Sequence, residues 1–90
     1  MRKYGAKRDI NEAQIVAALR AAGASVQHLS APGVPDLLVG FREQNYLMEV
    51  KQAKGKLTPT EQQFADDWRG QTVIVRCVDD ALRVIGAVRR

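Results

Sequence analysis

The sequence predicts one compact α/β domain with the element order αβββαβα. Three observations carry this prediction: apolar residues recur at helical spacing within residues 9–22, two apolar runs flank a short polar connection at residues 42–45, and a capped helix start at residues 57–61 precedes a further apolar run. A chain of 90 residues seldom holds two independent cores. We therefore expect a single domain over residues 1–90, with residues 1–8 as a basic N-terminal arm.

The first helix is predicted at residues 9–22. Asp9 or Asn11 can cap its N-terminus, and Gly23 provides a stop at its C-terminus. Its apolar positions approximate the stripe that packs on a core, and they are Ile10, Ile15, Val16, Leu19 and Ala22.

Four short segments have the composition of strands. The first alternates apolar and polar residues like an outer strand, whereas the second and third are nearly continuous in hydrophobicity, which indicates burial on both faces. These two are joined by residues 42–45 and are expected to form a β-hairpin. The predicted strands are residues 24–29, 36–41, 46–51 and 72–78.

The second helix has a strong start signal, with Thr58 as N-cap, Pro59 at the first helical position and Glu61 three residues after the cap. Gly70 ends it, and Phe64 and Trp68 on one of its faces are expected in the core. A last helix is predicted over residues 79–87. Cys77, in the apolar strand before it, is expected to be an inert buried thiol.

Composition narrows the classes of function. Fourteen Lys and Arg against ten Asp and Glu give a formal net charge of +4, which hints at a polyanionic partner, although basic clusters near the termini have a second explanation as solvated ends. One Cys and one His can form neither an internal disulfide nor a structural zinc site. With no apolar run of about 20 residues, we expect a cytoplasmic protein in a reducing compartment.

Two strands that should be buried carry charges. Glu49 and Lys51 share a face of the third strand, and the hairpin brings Asp36, at the start of the second strand, alongside them. Two carboxylates and an ammonium in a half-buried sheet are costly unless something is bound there. A divalent cation that prefers oxygen, Mg²⁺ or Mn²⁺, suits paired carboxylates. The alternative is a simple salt bridge near the sheet edge.

The pattern Pro-Asp at residues 35–36 followed by Glu-Val-Lys at residues 49–51 resembles the PD-(D/E)XK nuclease superfamily. The segments Gly33-Val34-Pro35-Asp36-Leu37-Leu38, Tyr46-Leu47-Met48-Glu49-Val50-Lys51 and Gly55-Lys56-Leu57-Thr58 make the chain similar to the VRR-NUC (virus-type replication-repair nuclease) family. The similarity spans residues 9–80. It implies a restriction-endonuclease-like core of order αβββαβ(α), in which helices flank a central mixed sheet.

The resemblance also implies roles for individual residues. Asp36 and Glu49 match the metal-binding acids of the family, together with the main-chain carbonyl of Val50, and Lys51 matches the catalytic lysine. Glu12 matches a glutamate of the first helix and is expected to join the metal site. Its alternative role is that of a solvated first-turn residue that the helix dipole favours.

At a glutamine of the second helix, this chain departs from the family pattern. The family carries it three residues before an aromatic residue, but here that position, counted from Phe64, is Glu61. Gln62 or Gln63 can serve after a small shift, and Gln62 is taken as the supporting residue. The alternative is that Glu61 acts only as a capping residue.

The expected function is that of a Mg²⁺-dependent endodeoxyribonuclease in which Mn²⁺ can substitute. Stand-alone family members resemble Holliday-junction resolvases acting as homodimers, so branched DNA is the expected substrate and a homodimer the expected assembly, in a phage-type protein of the bacterial host cytoplasm. The expected DNA contacts are basic side chains: Lys54, Lys56, Arg2, Lys3, Lys7 and Arg8. Two alternatives stay open, a non-catalytic branched-DNA-binding module and a nicking or restriction-type subunit acting with partner proteins.

Overall fold

The computed structural model describes residues 3–87, with side chains described from residue 10 onward. Its elements follow the predicted order αβββαβα, which confirms the predicted α/β fold class. The elements are α1 (Lys3–Ala21), β1 (Ser25–His28), β2 (Leu37–Phe41), β3 (Gln44–Val50), α2 (Pro59–Asp67), β4 (Val73–Val75) and α3 (Val78–Val84). No helix within residues 3–87 has the length and apolar character needed to span a membrane.

The four strands form one mixed sheet in the order β1-β2-β3-β4. The first three strands are antiparallel neighbours, and β4 pairs in parallel with β3. In the hairpin, Leu37 is opposite Met48. Continuing this register by one residue places Asp36 opposite Glu49, as the sequence predicted.

One face of the sheet is covered by α1 and α3, and the core lies there. Alternate strand residues point into it, because successive side chains of a strand point to opposite faces. The α1 residues Ile15 and Leu19 and the α3 residue Ala81 are fully buried against them. The buried strand residues of this face are Val26, Leu37, Val39, Met48, Val50 and Val75.

The other face is covered by α2, which has no buried residue, and by part of the loop that precedes β2. Leu38 is 36% exposed and Trp68 is 46% exposed, and Phe64 is half-buried and stacks on Trp68 with ring centroids 5.0 Å apart. Two expectations are therefore wrong: the hairpin is not buried on both faces, and Phe64 and Trp68 do not belong to the core. A short helix cannot cover a whole sheet face, so apolar residues under its edge stay accessible.

Helix α1 begins at Lys3 rather than at residue 9, since residues 3–8 contain no proline and the one glycine costs a helix only about 1 kcal/mol. Ile10, expected in the core stripe, is exposed. The helix ends at Ala21, and Gly23 is the stop that the sequence predicted. Gly23 has a φ of 103°, and its amide donates to the carbonyl of Arg20, while the amide of Ala24 donates to the carbonyl of Leu19.

Two further boundaries differ from prediction. The hairpin connection is a tight turn of two residues, Arg42 and Glu43, both with positive φ, because Phe41 already pairs with Gln44. Helix α3 begins at Val78 after Cys77, which is the N-cap residue and is exposed rather than buried, since β4 ends at Val75 and the chain has already left the sheet.

Candidate active site

Asp36 enters the site at the end of the loop that precedes β2. Its backbone carbonyl accepts a hydrogen bond from the amide of Leu29, and its carboxylate Oδ2 accepts one of 2.8 Å from the amide of Val50 on β3. The carboxylate is thus fixed across the hairpin next to Glu49. The predicted meeting of Asp36 with the strand that carries Glu49 is present in the structure.

Glu49 is the one charged residue among the buried residues of the described chain, with only 4% of its surface exposed. Its Oε2 atom is buried and accepts no hydrogen bond from residues 10–87. Burial, followed by repulsion from Asp36 and then Glu61, raises the pKa of Glu49 to about 8, although Lys51 opposes this rise. A buried carboxylate with an unmet acceptor oxygen is costly to the fold and is suited to holding a cation.

Lys51 lies between two carboxylates. Its Nζ atom is 2.7 Å from Oε1 of Glu61 but 3.7 Å from Oε2 of Glu49, and both carboxylates are mostly shielded from solvent. Burial raises the pKa of Glu61, but the bonds from Lys51 and from the Thr58 amide outweigh it and leave this pKa below its ordinary value. The Lys51 ammonium therefore interacts mainly with Glu61.

The start of α2 explains why Glu61 faces β3. The Thr58 amide donates to Oε1 of Glu61 at 2.9 Å, and the Glu61 amide donates to Oγ1 of Thr58 at 3.2 Å, which completes a capping box. The preceding loop packs closely on this helix end, because a Cβ atom at Gly33 would lie 2.6 Å from Cγ2 of Thr60. Loop 30–35 and the first turn of α2 thus hold each other in register above the sheet.

The structure brings Glu61 to the site, and not the glutamine expected there. Gln62 donates to Asp66 at 2.9 Å and Gln63 donates to Asp67 at 2.8 Å, both on the exposed side of α2. Sequence reasoning gave Glu61 only a capping role. The capping box was the available signal for a site role of Glu61. In a capping box the Glu61 side chain folds back over the first helical turn, so its direction is also fixed.

Glu12 lies on α1, on the covered side of the sheet. Its Oε2 atom is 3.4 Å from Nε2 of His28, at the end of β1. Next to it, Asn11 donates to the backbone carbonyl of Lys51 at 3.2 Å, so this turn of α1 is tied to the end of β3. Within residues 10–87 there is no cluster of three or more His, Cys, Asp or Glu side chains arranged to hold a metal ion.

Arg76 organises the loop after the candidate catalytic strand. Its Nη1 atom donates to the carbonyls of Gln52, Ala53 and Gly55, at distances from 2.7 to 3.2 Å. Lys54 and Lys56 are exposed on this loop, as expected for side chains that contact phosphates. The other predicted DNA contacts, Arg2, Lys3, Lys7 and Arg8, lie outside the residues whose side chains are described.

Two depressions flank Phe64 on the α2 side of the sheet. A cavity of about 270 Å³ is lined by Glu49, Glu61 and the Phe64 ring, together with residues of the Gly33–Pro35 loop and β4. A groove of about 470 Å³ lies beyond Phe64, and none of its described lining residues is charged; they include Leu29, Val34, Leu38, Leu47 and Trp68. The candidate active site therefore borders an uncharged apolar surface.

The donor set fits a hard divalent cation. Asp36 and Glu49 supply carboxylate oxygens from adjacent strands, and the acceptor capacity of Glu49 Oε2 is not met by the described residues. The Val50 amide is used by Asp36, which places the Val50 backbone beside that carboxylate. The ligand roles of Asp36, Glu49, the Val50 carbonyl and Glu12 stay predictions, as does the catalytic role of Lys51.

No family model and no curated protein matches the sequence. A solved structure described as "VRR_NUC domain" is similar to this chain with a TM-score of 0.74 and 24% sequence identity, covering 88% of this chain and 94% of that one. The chain has the VRR_NUC domain fold. Its four-stranded mixed sheet, flanked by helices, is the architecture that the resemblance implied.

Proposed function

We propose that the protein is a metal-dependent endonuclease that hydrolyses phosphodiester bonds of branched DNA. The observation that carries the proposal is Glu49, buried on a sheet strand with an Oε2 atom that accepts no hydrogen bond from residues 10–87, with Asp36 and Lys51 beside it. The ion pair with Lys51 does not satisfy this oxygen, because Nζ is 3.7 Å from it and forms its short contact, of 2.7 Å, with Glu61. The VRR_NUC fold supports the same class of activity.

Asp36, Glu49 and the Val50 carbonyl would hold the Mg²⁺ ion, with Mn²⁺ as a substitute and Glu12 as a further ligand. When bound, the cation supplies charge stabilisation on the phosphate and lowers the pKa of a water molecule. The Val50 amide holds the Asp36 carboxylate in place through its 2.8 Å hydrogen bond. This bond fixes the direction of one ligand before any cation binds.

Lys51 supplies a positive charge beside Glu49 and Glu61, which both line the cavity. An ammonium at this position can orient an attacking water or stabilise the negative charge that develops on the phosphate. The side chain is mostly buried, so its charge is weakly screened by solvent. The backbone carbonyl of Lys51 is also tied to Asn11, which limits movement of the end of β3.

DNA binding would rest on phosphate contacts by Lys54 and Lys56, on the loop that Arg76 organises, and on the basic residues Arg2, Lys3, Lys7 and Arg8 near the N-terminus. The chain has no helix-turn-helix or zinc-finger signature that would read base edges. Recognition by backbone contacts and nucleic-acid shape favours a branched substrate such as a four-way junction.

A homodimer would supply two sites for the two symmetric cuts that junction resolution requires. The uncharged groove beyond Phe64 is the surface we propose for contact with the second copy. Two chains with a formal net charge of +4 repel each other, so a stable contact needs a face without charge, and the described lining of this groove carries none. Leu38 and Trp68 would be covered in the dimer.

The decisive experiment compares cleavage of a four-way junction, a flap and a linear duplex in Mg²⁺. We expect the junction to be cut preferentially, and Glu49→Gln, Asp36→Asn and Lys51→Met each to lower the rate by roughly 100-fold or more. Asp66→Asn is the matched control, because it removes one negative charge from an exposed position on α2. Cleavage by Glu49→Gln at the wild-type rate would refute the proposal.

Sedimentation tests the dimer. We expect about twice the monomer mass of 10.0 kDa for the wild type and a shift toward monomer for Leu38→Glu, which places a charge in the groove. Ala17→Glu, at an exposed position on α1 over the opposite face of the sheet, is the control for added charge. If the wild type is a monomer and still cleaves DNA, the dimer proposal fails and the nuclease proposal stands.

The rival function is a non-catalytic module that binds branched DNA. The short Lys51–Glu61 ion pair favours it, since that pair occupies the lysine in the absence of substrate. This rival predicts junction binding that is independent of Mg²⁺, with no cleavage. A restriction-type subunit would instead cut at sequence-dependent positions or only when its partner proteins are added.

A further inference from the structure

We propose that Glu61 is a positioning residue that holds the Lys51 ammonium away from Glu49 and thereby keeps Glu49 available to a divalent cation. The inference rests on the proposed function, since it assigns a task to a further residue of the same site. It gives Glu61 a role at the cavity in addition to the cap of α2.

Two carboxyl groups lie within 4 Å of one ammonium. Nζ of Lys51 is 2.7 Å from Glu61, within the range of a charge-assisted hydrogen bond, and 3.7 Å from Oε2 of Glu49, which is outside it. Oε2 of Glu49 accepts no other hydrogen bond from residues 10–87. Because Glu49 is the more buried of the two, an unopposed ammonium would gain more by neutralising it.

Glu61 can hold the lysine because its own carboxylate is fixed. Oε1 accepts both the Lys51 ammonium and the Thr58 amide, at 2.7 and 2.9 Å, and the Glu61 amide returns a bond to the Thr58 hydroxyl. The N-terminus of α2 adds a favourable field for a negative charge in the first turn. The loop that packs at Gly33 on Thr60 keeps this turn over β3.

Glu61 changes the surroundings that a cation finds at Glu49. When Glu61 is present, Oε2 of Glu49 lies 3.7 Å from the Lys51 ammonium but accepts no hydrogen bond that a cation would have to break. Without the Glu61 charge, Lys51 is free to close on Glu49, and a cation must then displace a buried ion pair. The cation affinity of Glu49 should therefore depend on Glu61 through Lys51.

The test measures Mn²⁺ binding by calorimetry on the full chain without DNA. Glu61→Gln keeps the size of the side chain and an oxygen that can accept from the Thr58 amide, so α2 stays capped. We expect this variant to bind Mn²⁺ about tenfold more weakly, the scale of effect that residues supporting metal ligands usually have. Asp66→Asn, which removes an exposed charge from the same helix, should stay within about twofold of the wild type.

A double-mutant cycle shows whether Glu61 acts through Lys51. In a Lys51→Met background, Glu61→Gln should no longer change the Mn²⁺ affinity, because the ammonium that it restrains is gone. Two results would overturn the inference: equal affinity of the wild type and Glu61→Gln, or the same loss in both backgrounds, which would make Glu61 act on the cation directly. Absence of Mn²⁺ binding by the wild type would overturn it as well.

The failure of this inference is separable from failure of the proposed function. If the Mn²⁺ affinity depends on Glu61 as expected but the protein cuts no DNA, the positioning role of Glu61 stands and the proposed nuclease activity fails. A protein that cleaves junctions in Mg²⁺, with Glu61→Gln binding Mn²⁺ like the wild type, keeps the nuclease and loses the positioning role. Circular dichroism of each variant verifies that it is folded.

Discussion

The two faces of the sheet are built for different purposes. The face under α1 and α3 is closed: its strand residues are buried, and Ile15, Leu19 and Ala81 have no exposed surface. The face under α2 is open, with no buried residue on the helix and with an apolar groove beside a cavity that contains Glu49. The same strands supply both faces through alternate residues.

The closed face explains how a small domain tolerates an energetically unfavourable buried carboxylate on its open face. Glu49, on the open face, lies between Met48 and Val50, which point into the closed core and are buried. Packing on one side fixes the strand, and so the unfavourable burial of a carboxylate on the other side is tolerated. Stability should therefore come from the closed face, and sensitivity to pH and cations from the open one.

The largest expected effect tests the closed face. Leu37→Ala should destabilise the protein by about 2–5 kcal/mol, because it leaves a cavity in a fully packed core. Leu38→Ala, the adjacent residue on the open face, should cost about 1 kcal/mol or less. Urea denaturation at low protein concentration measures both changes, and equal losses would contradict the division into a closed and an open face.

The second prediction concerns pH. The pKa of Glu49 is about 8 in the folded chain and near 4.5 when unfolded, so folding favours the protonated form. This contribution is complete below pH 4.5 and is lost as pH rises toward 8, so the metal-free protein should lose stability over that interval. At about 1.4 kcal/mol per pKa unit, the effect amounts to about 5 kcal/mol at most.

Glu49→Gln isolates this effect from other titrating groups. The variant cannot ionise at this position, so its free energy of unfolding in EDTA should fall less between pH 5.5 and 8.5 than that of the wild type. Mg²⁺ added at pH 8.5 should stabilise the wild type and not the variant. Parallel pH profiles for the two proteins would show that Glu49 is not the group responsible.

The smallest effect tests how α2 is held over the open face. Gly33 has a φ of 79°, and a Cβ there would lie 2.6 Å from Thr60. Gly33→Ala should therefore cost about 1–2 kcal/mol and should weaken Mn²⁺ binding by displacing the turn that carries Glu61. Gly86→Ala is the matched control: its φ is also positive, at 77°, but its Cβ would meet no atom of the described residues within 4 Å.

Much of this fold follows from local sequence signals. The capping box at Thr58 and Glu61, the helix stop at Gly23 and the apolar runs of the hairpin are each readable because they depend on neighbours in the chain. Errors arose where tertiary contacts decide. Trp68 is apolar and at helical spacing, yet it is exposed because nothing in the described chain covers that part of the sheet.

The candidate site divides in the same way. Asp36, Glu49 and Lys51 could be placed together from strand period and hairpin register alone. Glu61 could not, because its contact with Lys51 depends on how α2 returns across the sheet after the loop at residues 52–57. The tightness of the hairpin turn at Arg42 and Glu43 was likewise hidden, since neither residue is a usual choice for positive φ.

The sequence by itself determined the order of elements, the pairing of the hairpin and the three charged side chains at its end, because these follow from periodicity and from residues a few positions apart. Only the tertiary structure decided which face is closed, which carboxylate holds the lysine and which has a buried oxygen that accepts no hydrogen bond from the described residues. Those outcomes depend on distances between segments far apart in the chain. Local propensities fix the segments, and packing between them fixes the chemistry of the site.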